Sequence, residues 1–406
     1  MTSPPDQPRL TKTSAEHTSI LAVFLAFLRL GCTSFGGPVA HLGYFRAEFV
    51  ERRKWLDEAA YADIVALCQF LPGPASSQVG VTIGMLRAGL PGGFAAWLGF
   101  SGPSAIAMIA FAYGVGIVGD LQHAAWLHGL KIVAVAVVAN AVWGMARNLC
   151  PDAPRATVAV GAALVALSFP SSLGQVGAIV AGGLIGWRLF AAPPAASGHV
   201  AIGFSRPLGV VALALFFLLL GGLPLIAAAG APHWLALIDR FYRAGSLVFG
   251  GGHVVLPLLQ QSVVPPGWIG NDGFLAGYGA AQAVPGPLFT FAAYLGAAMT
   301  PAPNGVAGGL ICLAAIYLPS FLLLIGVLPF WDALRRRAAV QSALRGVNAA
   351  VVGLLLAALY TPVWTSAIGA PRDFALGLVA FLLLALWRLP PWLVVVLGAL
   401  AAAVAL

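Results

Sequence analysis

Two stretches carry the residue types that could hold an anion: Gln69 to Ser77 (Q-F-L-P-G-P-A-S-S) and Gln282 to Thr290 (Q-A-V-P-G-P-L-F-T). A helix cannot run through Pro-Gly-Pro, because each proline removes a donor and clashes with the preceding turn, and glycine loosens the backbone between them. Pro72, Gly73 and Pro74 therefore end one helical arm, as do Pro285, Gly286 and Pro287. The half-helix that starts beyond each break has amides without intrahelical partners and the positive end of its dipole. Ser76, Ser77 and Gln78 add side-chain donors to the first, and Thr290 to the second. Such an end suits an anion. Gln69 and Gln282 are expected to brace the two tips. A second pair of breaks, at Gly36-Gly37 and at Gly250-Gly251-Gly252, brings backbone equally close to a ligand.

Arg29 and Arg243 stand in apolar stretches, each six residues before a Phe-Gly-Gly. An arginine inside a membrane costs on the order of 3 kcal/mol or more. Facing each other across a pseudo-two-fold, the two could clamp a tetrahedral dianion through paired donors; the bland alternative is that each snorkels to an interface. Proton coupling would need a titratable group, and Asp63, His41 and His253 are the candidates. Lys131 is a weaker anion-site candidate. There is no Walker A sequence, no H-E-x-x-H and no pair of intramembrane carboxylates, so an ATP-driven or hydrolytic chemistry has no residues to run on. His123 and His128 are five apart, a poor metal spacing on a helix. No metal and no cofactor is expected, and the chain is not read as an enzyme.

The elements that position these residues are set by composition. The chain is 60% hydrophobic and 8% charged, against about 25% charged in a soluble domain. This is an all-α polytopic membrane protein with the lipid bilayer as its solvent. A net charge of +8 reads as basic cytoplasmic loops and not as nucleic-acid binding. Cys32, Cys68, Cys150 and Cys312 lie apart in or beside apolar runs and read as reduced packing residues. Residues 1–16 are polar, lack a signal-peptide core and are expected to be a disordered cytoplasmic tail.

An internal repeat organises the rest: a first transmembrane repeat at 17–190, a linker and connecting helix at 191–234, and a second repeat at 235–406. Arg29, Gly36-Gly37 and Trp55 recur as Arg243, Gly250-Gly251 and Trp268, and Pro103-Ser104 as Pro319-Ser320, at offsets of 213 to 216. The arms around each Pro-Gly-Pro are short of the ~20 residues a span needs. Each half is therefore expected to hold two broken, re-entrant hairpins and about four spanning helices. One linking helix, 207–229, then inverts the second half. With the N-terminus inside, 16 of the 21 Lys and Arg residues face the cytoplasm, Arg388 among them. The basic loop 51–58 has a counterpart, 265–272, with no Lys or Arg, as an inverted repeat under the positive-inside rule requires. Reading each broken element as a full span gives thirteen spans and keeps the inversion, but puts Arg46 and Arg52 to Lys54 outside.

Taken together, F-G-G-P (35–38), Trp55, Q-F-L-P-G-P (69–74), F-G-G-G-H (249–253) and A-V-P-G-P (283–287) resemble the chromate ion transporter family in its long, two-repeat form. The resemblance covers nearly the whole chain. It implies movement of chromate across the bacterial inner membrane, usually outward and giving chromate resistance, with sulfate a related substrate for some members. A sulfate importer or an anion channel would share the architecture, and a homodimer is compatible with it. The halves differ at Pro38, replaced by Gly252, and at Ser76, replaced by Phe289, so the first tip, Pro72 to Gln78, is expected to be the main anion contact. Alternating access would rock one repeat against the other.

Overall fold

Apolar runs punctuated by Pro, Gly and capping residues form a bundle of helices in the computed structural model, which describes residues 18–118, 125–191, 204–230, 232–249 and 251–405. The expected tail at 1–16, His123 and Gly250 lie outside the described residues. Among those described there is no strand. The first repeat comprises α1 (Ile20–Thr33), α2 (Gly37–Arg46, continued by a π turn, Ala47–Arg52), α3 (Glu58–Phe70), α4 (Ala75–Val118), α5 (Ala125–Leu149), α6 (Ala153–Ser168) and α7 (Ser172–Leu189). The connecting helix is α8 (Arg206–Ala228). The second repeat comprises α9 (His233–Leu247), α10 (Val255–Val263), α11 (Asn271–Ala281), α12 (Phe291–Ala298), α13 (Gly305–Val327), α14 (Trp331–Leu334), α15 (Ala338–Ala358), α16 (Thr365–Ala367), α17 (Pro371–Ala385) and α18 (Pro391–Ala405). Starts are set locally: the side chains of Ser19, Asp57, Asp152, Ser171 and Ser205 accept from first-turn amides.

The broken elements are hairpins. Arg87 donates to the Thr18 hydroxyl (3.0 Å) and its guanidinium lies 5.4 Å from the Trp55 ring. Residues before α1, between α2 and α3, and at the kink of α4 (Ala88, Gly89) therefore meet at one end. Had residues 20–50 crossed the membrane, Thr18 and Trp55 would lie on opposite faces. Arg46 closes this end by bridging Glu51 (2.5 Å) and Glu58 (2.8 Å), and its hydrogen bond holds the Glu58 carboxyl below its ordinary range. In the second repeat the His233 ring packs on Trp268 (4.4 Å) and Thr300 N–H donates to the Trp268 carbonyl (3.0 Å). Arg240 stacks on Trp268 (4.3 Å), as Arg53 and Arg87 do on Trp55.

The two ends are opposite faces. The α13–α14 helix starts beside Thr300 and ends at Arg335, which binds Asp63 midway along α3 (2.9 Å). At 30 residues and ~1.5 Å per residue it is about 45 Å long. The second arm of α4 makes the same crossing in the other direction: it leaves the Arg87 end, and its Tyr113 hydroxyl accepts from Val306 N–H (3.3 Å). The repeats are thus inverted, with hairpin bases at opposite faces and tips between them.

Among the described residues, five helices are long and apolar enough to cross a membrane: Ala75–Val115, Ala125–Leu149, Arg206–Ala228, Gly305–Leu334 and Ala338–Ala367. The other expected spans, α6, α7, α17 and α18, run only 15 to 18 residues. They form two further short hairpins, each packed on the opposite repeat: α6 and α7 on α15, α17 and α18 on α5. Glycine permits the approach. A Cβ on Gly346 of α15 would stand 1.9 Å from the Gly182 carbonyl of α7, and one on its repeat counterpart Gly129 of α5 would stand 2.7 Å from the Gly398 carbonyl of α18. The halves of the sequence are consequently interlaced in space. They do not form two separate bodies.

In a cysteine-free background, single cysteines at Lys54 and Pro266 are expected to react with an impermeant maleimide from opposite sides of sealed vesicles. Labelling of both from one side contradicts the inverted hairpins.

Candidate functional site

The four breaks converge. Gly73 N–H donates to the carbonyl of Val248 (2.7 Å), and Gly286 N–H to the carbonyl of Ser34 (2.9 Å). Each Pro-Gly-Pro glycine is thereby tied to the residue just before Phe-Gly-Gly of the other repeat. Both glycines have positive φ, +121° and +103°, a conformation that costs other residues roughly 1–2 kcal/mol. Each also faces a serine of the opposite repeat: a Cβ on Gly73 would stand 2.5 Å from Ser320 Oγ, and one on Gly286 2.8 Å from Ser104 Oγ. A Cβ on Gly252 would lie 3.5 Å from Pro38, its repeat counterpart, so the pseudo-two-fold passes between them.

The first tip is the more polar one, as its sequence implies. After Pro74, α4 starts directly, with Ser76, Ser77 and Gln78 all buried. Ser76 Oγ lies 3.3 Å from His41 Nδ1, and the hydroxyls of Ser77 and Ser101 lie beside that of Tyr317. Gln78 Nε2 donates to the Pro72 carbonyl (2.8 Å), bracing the tip. Gln69, expected in that role, faces outward on α3, because a residue nine positions earlier falls on the opposite side of the broken helix. The second tip opens with a 3-10 turn, Leu288–Thr290, and the Thr290 hydroxyl is used by the Pro287 carbonyl (2.9 Å). Thr290 is thus a brace and not a free donor. Ser34 Oγ, Gln78 Oε1, Gln282 Nε2 and Ser320 Oγ are buried with no protein partner. Buried polar atoms are nearly always paired, and these four gather where the breaks meet. Beside them, Gly36, Gly37, Gln282, Gly286 and His253 line a narrow cleft, and His253 Nδ1 meets the Tyr278 hydroxyl (2.7 Å).

Other expected residues are placed elsewhere. Arg29 lies on the exposed side of α1, away from the buried stripe Val23, Ala26, Phe27 and Leu30. Arg243 is bound to Asp239 one turn earlier on α9. The arginine clamp is not formed: an apolar helix tolerates the one by turning it outward and the other by pairing it. Asp63 does not face the tips either. It is buried against Arg335 (2.9 Å) and the Trp331 indole (3.2 Å), and Arg335 also meets Asp332 (2.8 Å). That makes it an ion pair between repeats, away from the tips. Lys131 pairs with Asp272 (3.0 Å) at the other face. All four cysteines are free, and no cluster of His, Cys, Asp and Glu among the described residues could hold a metal. Sequence reasoning missed Ser34, Ser101, Ser104, Ser320 and Tyr317. The Pro-Ser pairs at 103–104 and 319–320 were the available signal, since a proline kink with an adjacent hydroxyl recurs at matched repeat positions.

Asp63→Asn leaves a buried arginine short of its counter-charge, a change worth about 3–5 kcal/mol. Its thermal unfolding midpoint is expected to fall, while the pH dependence of transport per folded molecule stays that of the parent. A changed pH profile at unchanged stability would restore Asp63 to proton coupling.

A family model described as chromate transporter matches residues 21–187 and again 235–403, the two halves found here. The chain is 28% identical over 343 residues to a chromate transport protein of Pseudomonas aeruginosa, covering 82% of this chain and 78% of that one. It is 25% identical over 391 residues to a chromate transport protein of Cupriavidus metallidurans, covering 93% and 92%. An uncharacterized transporter of Methanocaldococcus jannaschii is 27% identical over 344 residues, 84% of each chain. No solved structure matches. The duplicated, tip-to-tip helical protein described above therefore belongs to the chromate transporter family.

Proposed function

We propose that the protein is a secondary transporter that carries chromate, a tetrahedral dianion, between the crossed tips. The observation that carries this reading is the set of buried, unpartnered polar atoms where the four breaks meet. The free amides at the start of α4 and the hydroxyls of Ser76 and Ser77 donate to the anion's oxygens, with the Ser34 and Ser320 hydroxyls approaching from the opposite repeat. Gln78 and Thr290 keep the tips in shape, and Gly36, Gly37, Gly73, Gly251 and Gly286 let backbone come close. Gln282 reaches the same cleft from the second tip. His41 and His253 are the titratable groups at the tips and are the places for a coupled proton.

The face carrying Thr18, Trp55 and Arg87 is the cytoplasmic one, since Arg46, Arg52, Arg53 and Lys54 gather there. On this reading the N-terminus is cytoplasmic, the membrane is the bacterial inner membrane, and outward movement would confer chromate resistance. Sulfate uptake is the second reading, because sulfate shares the charge and shape of chromate and no side chain at the tips discriminates between them. Proteoliposomes test both. Uptake of labelled chromate is expected to saturate, to respond to a pH gradient and to exceed that of sulfate. Preferred sulfate uptake would replace the substrate, and non-saturating flux would make the protein a channel.

A further inference from the structure

Two cavities flank the tips, and the repeat relates them. One lies between α2, α5 and the turn from α17 to α18, has about 830 Å³ of open space, and is lined by Gly36, Tyr44, Asn140, Arg388 and Trp392 among others. The other, of about 600 Å³, lies between α10, α15 and the turn from α6 to α7. Asn140 in the first corresponds to Ala357 in the second, at the offset of 217 that relates Gly129 to Gly346.

The short hairpins explain both cavities. The α17–α18 hairpin hangs from the second face, where Asp373 near its start binds His128 (3.1 Å) and its last turns pack on Gly129. Each arm has 15 residues, about 22 Å against a hydrocarbon thickness of ~30 Å. Its turn stops at the tips, where Trp392 packs on Phe35 (5.8 Å). The space beyond the turn, towards the face carrying Lys54, stays open. The α6–α7 hairpin does the same in reverse.

The cavities differ in what they offer an anion. The first shares Gly36 and Pro391 with the tip cleft; the second shares none of its lining with that cleft. Arg388 lines the first, on the turn itself with φ +54°, whereas no Lys or Arg lines the second. Arg388 is exposed, and no carboxylate among the described residues pairs with it. The sequence had put it at the cytoplasmic surface; the structure recesses it to the depth of the tips. A guanidinium there presents a fork of donors suited to a tetrahedral oxyanion, and low-dielectric walls focus its field along the cavity.

Resting on the transport reading above, we infer that this vestibule is a capture site for a tetrahedral dianion. Arg388 draws the anion in from the Lys54 face. Asn140 and Tyr44 offer it an amide and a hydroxyl, and Gly36 hands it to the tip cleft. Arg388 is accordingly an affinity-determining residue, and the opposite cavity is the poorer binder from which the anion leaves.

The test is chromate transport at pH 8 in proteoliposomes, measured from the Lys54 face, for the parent chain, Arg388→Ala, Arg388→Lys and, as control, Gln261→Ala in the opposite cavity. Arg388→Ala is expected to raise KM at least tenfold with Vmax within about twofold, and to flatten the fall of sub-saturating uptake with ionic strength. Arg388→Lys should restore most of the affinity, and Gln261→Ala should leave KM unchanged. An unchanged KM for Arg388→Ala, or a loss confined to Vmax, overturns the vestibule while leaving the transport reading intact. If the parent carries neither chromate nor sulfate, the transport reading fails and the inference with it.

Discussion

Two hydrogen bonds, Gly73 to Val248 and Gly286 to Ser34, fix the centre of this molecule. Each joins a backbone donor freed by Pro-Gly-Pro to a backbone acceptor freed by Phe-Gly-Gly. In a bilayer neither group could be left unpaired, so every break requires a partner, and the partner comes from the other half. That requirement explains why the breaks occur in pairs and why the repeats must be inverted. Hairpins entering from one face can pair their freed backbone with that of hairpins from the opposite face only if all the tips stop at the same depth.

The same constraint governs the packing around the tips. With hairpins ending midway, long helices are needed to carry the bundle from face to face, and α4 and α13 do this in opposite senses. Their Pro-Ser kinks bring Ser104 and Ser320 onto the glycines of the opposite tips. The last hairpins cross over to the other repeat, α7 on α15 and α18 on α5, through glycine contacts that admit no side chain. Any motion that alternates access has to slide these interlaced elements about the tips, since the halves share no separable surface.

Much of this was legible in the residues because proline and glycine act on the backbone directly. Their spacing alone gave the breaks, the repeat and, with the charge pattern, the hairpins. Side-chain roles were harder. Arg29 and Arg243 share a repeat position, yet a helix face is decided by packing, and one turned outward while the other found Asp239. Asp63 reads as a site candidate in sequence because its partner, Arg335, lies 272 residues away in the chain. Ser34 was hidden because its counterpart is Val248: pairing the repeats rewards what the halves share and passes over what only one has. Arg388 was assigned to a surface loop because the shortness of α17 and α18 is not visible in an apolar run.

The central claim is that the tips form the oxyanion site. It is tested most directly by equilibrium binding of chromate to purified protein carrying Gly73→Ala or Gln78→Leu. The first drives a methyl group into Ser320, and the second removes both the brace on Pro72 and an unpartnered buried oxygen. Each is expected to weaken binding at least tenfold in protein that remains folded and membrane-inserted. Parent-like affinity in both would place the substrate elsewhere and contradict the account.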